Sequence, residues 1–121
     1  MKRNITIFAV LFGLTASSSA RAGDCSGVVQ SVTLAPEGDV YVDFDFVYSR
    51  MRICQLDTSV TVNRGSSYGG NTTITAGRCA GLLSAFLTAK AGSKAVTARV
   101  EGSCAFTDGA YPNPFPFQFV F

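Results

Sequence analysis

The sequence predicts an α+β chain that is mainly β, built from five or six short strands with one amphipathic helix inserted before the last two. Three observations carry this. The segment from Val40 to Tyr48 alternates apolar and polar residues with a period of two, as a half-buried strand does. From Cys79 the period lengthens: Cys79, Leu82, Leu83, Phe86 and Leu87 take the i, i+3, i+4, i+7, i+8 spacing of a single helical stripe. After Gly92 it returns to two, with Val96, Ala98 and Val100 set against Thr97, Arg99 and Glu101.

The first segment is of another kind. Lys2 and Arg3 precede a short apolar run from Ile5 to Leu14, and Ala20-Arg21-Ala22 supplies a small-x-small cleavage site, so residues 1–22 read as a secretory signal peptide. That run is too short to cross a bilayer and no later one is longer, so no membrane span is expected in residues 23–121. These residues show no internal repeat or linker and read as a single exported domain, secreted or periplasmic. They carry seven Lys or Arg against eight Asp or Glu, a balance that offers no electrostatic footprint for nucleic acid.

Ser26 to Leu34 is rich in valine and threonine and reads as the first strand, with Val28, Val32 and Leu34 on one side and Val29, Ser31 and Thr33 on the other. Ala35-Pro36-Glu37-Gly38-Asp39 is a tight turn in which proline fixes φ and glycine closes the bend. In the next strand Val40, Val42, Phe44, Phe46 and Tyr48 are expected to face the core, and Tyr41, Asp43, Asp45 and Val47 to face water. Met51 to Leu56 is the third strand, and Ser59 to Asn63 continues it or begins a fourth. Arg64 to Thr72, with three glycines, two serines and an asparagine, reads as a loop.

The helix is expected over residues 75–91, with Thr75 as N-cap, Lys90 in the last turn and Gly92 as the left-handed residue that ends it. The strand through Glu101 stops at Gly102-Ser103-Cys104, and Thr107 to Pro114 is a second loop. Phe115 to Phe121 places phenylalanine at every second position and reads as a closing core strand, with Pro116 at its start or on an edge. Strands that turn over one helix, placed between the third or fourth strand and the last two, have the layout of an OB barrel. Periodicity alone gives α+β; an OB-like barrel of five to six strands is the architecture expected from that layout.

Cys25, Cys54, Cys79 and Cys104 all follow the signal peptide, and four cysteines in an oxidising compartment predict two disulfides, with three pairings open. Zinc is disfavoured, since there is no C-x-x-C pair and no histidine. The lack of histidine also removes Ser-His-Asp and Cys-His catalysis. Asp43 and Asp45 lie on one strand face and could form a carboxylate pair for acid–base work or calcium. A solvated face whose charges deter edge pairing accounts for them better. No catalytic residue, metal or cofactor is expected.

The binding candidates sit in the loops. Tyr68, with Asn63, Arg64 and Asn71 nearby, offers an aromatic face and hydrogen-bonding groups of the kind a sugar ring needs. Tyr111 and Asn113 form a second such set. The scattered Arg50, Arg52, Arg64 and Arg78 compose no phosphate-binding motif.

Several segments together carry a resemblance: Cys25-Ser-Gly-Val-Val, Gly38-Asp-Val-Tyr-Val, Ile53-Cys-Gln-Leu, the Cys79 to Lys90 helix, Lys94-Ala-Val-Thr-Ala-Arg-Val, Ser103-Cys104 and the aromatic C-terminal strand. Across residues 23–121 the chain resembles a group of small exported bacterial OB-fold-like proteins. In layout it is similar to the B subunits of pentameric toxins of the cholera and subtilase type, OB folds that bind glycans. In the cholera-type subunit a cysteine before the first strand pairs with one just after the strand that follows the helix. Cys25 and Cys104 occupy those places, so the resemblance implies that pair and leaves Cys54 with Cys79. The second pair is additional to that subunit's single disulfide, and no stretch here matches its tryptophan-bearing sugar site. The likeness implies an exported, non-enzymatic binding module for a glycan or a protein, able to form a homo-oligomer. The other class of function open to these residues is a monomeric periplasmic structural or inhibitor protein.

Overall fold

The computed structural model describes residues 23–45, 50–104 and 106–121. The signal-peptide reading of residues 1–22 and the outer strand positions Phe46, Val47 and Tyr48 lie outside them.

The described chain is mainly β with one helix, and its sheets are antiparallel. The strands are β1 (Gly23–Leu34), β2 (Asp39–Phe44), β3 (Met51–Gln55), β4 (Val60–Asn63) and β5 (Asn71–Ile74), then the helix α1 (Ala76–Ala91), β6 (Ala95–Val100) and β7 (Gln118–Val120). Five of them form a sheet in the order β3-β2-β1-β6-β7, while β4 and β5 form a separate hairpin. The long β1 serves two neighbours: Gly23 to Val28 pairs with β6, and Val29 to Leu34 pairs with β2.

Within β1 the register slips between Val29 and Ser31, which makes Gln30 the extra residue of a bulge. A bulge reverses the inside-outside phase. Val29 is buried and Val32 packs against the same core, although an unbroken strand would put them on opposite faces. Leu34, expected on the same side as Val32, is 54% exposed at the strand end. The turn that follows is closed by the Gly38 N–H donating to the Ala35 carbonyl at 2.9 Å, with Gly38 at φ +97°.

The expected closed barrel is not formed. β3 and β7 are the two edges of the sheet, and among the described residues they do not pair. Irregular chain takes that place. The Gly109 N–H donates to the Arg50 carbonyl (2.6 Å) and the Arg52 N–H to the Ala110 carbonyl (3.1 Å), so the Thr107 to Pro114 loop lies along the outer side of β3. The Phe115 N–H then donates to the Asn63 carbonyl at 2.6 Å. Pro116 has no N–H to continue a ladder, and β7 keeps only three residues, opposite Thr97 to Arg99.

Part of the expected Arg64 to Thr72 loop is structured. Asn71 and Thr72 open β5 and pair with Asn63 and Val62, and Ser66–Tyr68 make one 3-10 turn. The signal was the β-branched run Thr72-Thr73-Ile74, masked by the glycines before it. β2 departs on its polar side: Tyr41 is buried, covered by the guanidinium of Arg50 at 4.3 Å from its ring centroid and that of Arg52 at 5.5 Å.

Helix α1 starts as its sequence dictates. The Thr75 hydroxyl accepts from the Arg78 N–H at 3.2 Å, and Lys90 lies in the last turn. Its end differs: Gly92 has φ −92°, and Ser93 takes the left-handed conformation at φ 51°. The buried face comprises Cys79, Phe86 and Ala89, with Leu82 and Leu83 half-covered, whereas Leu87 is 48% exposed. Phe86 is the hub of the core. It meets Phe44, Phe119 and Phe121 edge-on, with centroids 5.9, 5.2 and 5.1 Å away.

Two disulfides lock this arrangement. Cys54 of β3 is bonded to Cys79 in the first turn of α1, and Cys25 of β1 to Cys104 beyond β6. They span 25 and 79 residues of sequence. In the chain-entropy account, loops of those lengths stabilise by about 3.5 and about 4.5 kcal/mol.

Candidate functional site

The C-terminal segment and the turn after β4 meet at one point. The ring of Phe117 lies flat on that of Tyr68, with centroids 3.7 Å apart and planes 4° from parallel. Each partner is positioned by backbone bonds. The Phe117 N–H donates to the Arg99 carbonyl at 2.9 Å, which fixes the aromatic segment against β6. The Tyr68 N–H and the Gly70 N–H both donate to the Gly65 carbonyl, which tightens the turn that presents the tyrosine.

Two clefts adjoin this stack. The first, about 320 Å³, is lined by Tyr68, Phe117, Asp24, Ser67, Glu101 and the backbone of Gly102. Its polar groups are acceptors for the most part. The Asp24 carboxylate stays half-exposed beside the Arg99 guanidinium at 3.9 Å, and Glu101 Oε2 accepts from the Ser67 N–H at 3.1 Å. Gly65 makes room for that second contact: at φ +97° and ψ 153° it occupies backbone space that only glycine uses readily, and a Cβ there would run into the Glu101 carboxylate.

The second cleft, about 390 Å³, lies between the aromatic C-terminal segment, β5 and the first half of α1. Phe115, Phe117, Phe119 and Phe121 line it together with Ile74 and Leu82, and Arg64 and Arg78 are its charged residues. The Nε of Arg64 is shut off from solvent with no hydrogen-bond partner.

The residues singled out from sequence are thus divided. Tyr68 lines the polar cleft and Arg64 the apolar one. Asn63 is committed to local structure, its side-chain oxygen accepting from the Gly65 N–H at 2.8 Å. Asn71 is exposed in β5 opposite Asn63, and Asn113 is exposed in the last loop. Tyr111 and Asn113 line neither cleft.

Tyr111 instead belongs to a structural cluster on β3. The Arg52 guanidinium donates to the Tyr41 hydroxyl (3.1 Å), stands 5.3 Å from the Tyr111 ring centroid and pairs with the buried Asp39 carboxylate at 3.9 Å. Asp39 also accepts from the Gln55 amide at 2.7 Å. The bond to Tyr41, opposed by burial and aided by Asp39, holds the Arg52 pKa above its ordinary value. Burial, reinforced by Asp39 and opposed by Arg52, pushes the Tyr111 phenol up. Its hydroxyl is enclosed and has no hydrogen-bond partner among the described residues.

Asp43 and Asp45 serve the sheet separately. Asp43 accepts from the Ser31 hydroxyl at 2.6 Å, and Asp45 from the Val28 N–H at 3.1 Å. Among the described residues no cluster of three or more His, Cys, Asp or Glu is placed to hold a metal ion.

Asp24, Ser67, Glu101 and Phe117 escaped the sequence reading. They come from four distant parts of the chain, Glu101 read as the wet side of a strand, and Phe117 read as core. No protein-family model, curated protein or solved structure matches this chain.

Proposed function

We propose that the protein is an exported, non-enzymatic binding module of OB-like layout that holds a neutral glycan in the polar cleft beside Tyr68. The observation that carries this is the Tyr68–Phe117 stack with two carboxylates at its side. A pyranose presents a flat C–H face and a ring of hydroxyl donors, which match an aromatic platform flanked by Asp24 and Glu101 as acceptors. An acidic sugar would meet two like charges, so neutral glycans are favoured.

The OB-like reading is supported by the strand order β3-β2-β1-β6-β7, which is that of an OB barrel opened between its third and last strands. A first strand shared between two partners, with a bulge at the changeover, agrees with it. Export is supported by the two disulfides, since such bonds persist in oxidising compartments. No helix among the described residues is long and apolar enough to cross a membrane. Assembly into a homo-oligomer, as in the toxin subunits the sequence resembles, would multiply a modest single-site affinity.

A glycan array probed with the oxidised chain, together with its mass in solution, tests the proposal. Binding confined to neutral glycans is expected. A chain that binds no glycan contradicts the reading, and its capture of one specific periplasmic protein would favour the inhibitor class.

A further inference from the structure

The geometry points to a second, separate ligand site: the apolar cleft under Arg64 and Arg78 takes an apolar chain that ends in a carboxylate, of the medium-chain fatty-acid type. The volume of about 390 Å³ lies in the range of small-molecule pockets. Its lining is mostly apolar, with Phe115, Phe119, Phe121, Ile74 and Leu82 presenting ring and methyl surface beside Thr72, Thr73 and Gln118, and no Asp or Glu side chain among them. A sugar has too many hydroxyls to satisfy there, whereas an alkyl chain has none.

The charged side chains of the lining are both cationic. Arg64 and Arg78 have no ion-pair partner among the described residues, where the basic side chains in ion pairs are Arg52 and Arg99. The enclosed Nε of Arg64 has its hydrogen unmet. That enclosed nitrogen is out of a ligand's reach, and the terminal nitrogens of a guanidinium meet a carboxylate end-on through a fork of two parallel N–H···O bonds. An alkyl ammonium would be repelled by the same pair of arginines, and an alkyl alcohol would leave the fork without its charge.

This site does not depend on glycan binding. Phe117 lines both clefts, but Tyr68, Asp24 and Glu101 line the polar one alone, and Arg64, Arg78 and Gly81 the apolar one alone. Gly81 provides a steric probe. It lies on α1, and a Cβ there would meet nothing within 4 Å. A Gly81→Phe variant therefore fills the cleft while replacing glycine by a better helix former.

The test is calorimetric titration of the full oxidised chain with dodecanoate below its micellar concentration, alongside dodecanol, dodecyl phosphate and dodecyltrimethylammonium. The expected result is saturable binding of dodecanoate, at least tenfold weaker in Arg64→Gln and absent in Gly81→Phe, with neutral-glycan binding and melting temperature kept in both. Tighter binding of dodecyl phosphate would overturn the carboxylate assignment in favour of a lipid phosphate head. Equal affinity for dodecanol, retention of dodecanoate by Arg64→Gln, or retention by Gly81→Phe would overturn the site.

Discussion

Phe117 and Tyr68 stack face to face at 3.7 Å, and this contact joins the C-terminal aromatic segment to the turn after β4 at the boundary of the two clefts. Its consequences separate platform from scaffold. Tyr68 is 42% exposed, so Tyr68→Ala removes the stack, worth about 0.5–1.5 kcal/mol. The expected outcome is a small fall in melting temperature with loss of measurable neutral-glycan binding, read by scanning calorimetry and by titration of the same sample.

Gly65→Ala should act on the same cleft from beneath. Its backbone conformation costs a non-glycine residue about 1–3 kcal/mol, and the new Cβ would displace the Glu101 carboxylate from the Ser67 N–H. Both the melting temperature and the glycan affinity are expected to fall, whereas Asp43→Asn, far from the cleft in sequence and bonded to Ser31, should leave the affinity unchanged.

Phe86→Ala tests the core. The ring contacts Phe44, Phe119 and Phe121, and removing a buried phenylalanine costs about 3–5 kcal/mol. For a domain of this size the melting temperature should drop by about 15–25 °C. The cysteines of the variant are expected to react with thiol reagents faster than those of the parent under mild reductant.

The two disulfides should not reduce together. Cys54 and Cys79 are fully buried, while Cys104 is partly exposed beside Cys25. Mild native reduction followed by alkylation and peptide mass mapping is expected to label Cys25 and Cys104 first. Labelling of Cys54 and Cys79 should wait for global unfolding.

Alkaline stability should depend on Tyr111. Its phenol is held above the ordinary tyrosine pKa of about 10, so above that pH the unfolded chain loses this proton before the folded one does. The unfolded state then binds fewer protons, and stability falls as pH rises through about 10. Tyr111→Phe removes that dependence. Denaturant titrations of both chains at pH 7 and above pH 10 check it.

The parts of the fold that the sequence makes legible are those set by neighbours along the chain. Thr75 caps α1 through a bond three residues away, and Val96, Ala98 and Val100 alternate into the core because a strand alternates. Tertiary effects hid the rest. The bulge at Gln30 cannot be seen in a valine-rich run, yet it decides that Val29 and Val32 share a core. Leu87 fits the helical stripe yet is 48% exposed, while Ala89, outside that stripe, is buried. Tyr41 stands at a polar position and is buried because Arg50 and Arg52 cover it. Of the polar cleft only Tyr68 carried a local signal, an aromatic among glycines. Asp24, Glu101 and Phe117 reach it only through the β1–β6 and β6–β7 pairings.

The most direct measurement is a titration of the isotopically labelled, oxidised chain with the neutral glycan selected from the array, followed by amide chemical shifts. Saturating shifts are expected at Ser67, Tyr68, Glu101 and Gly102, with none in the Tyr68→Ala variant. Shifts that centre on Tyr111 and Asn113, or that persist unchanged in Tyr68→Ala, would contradict it.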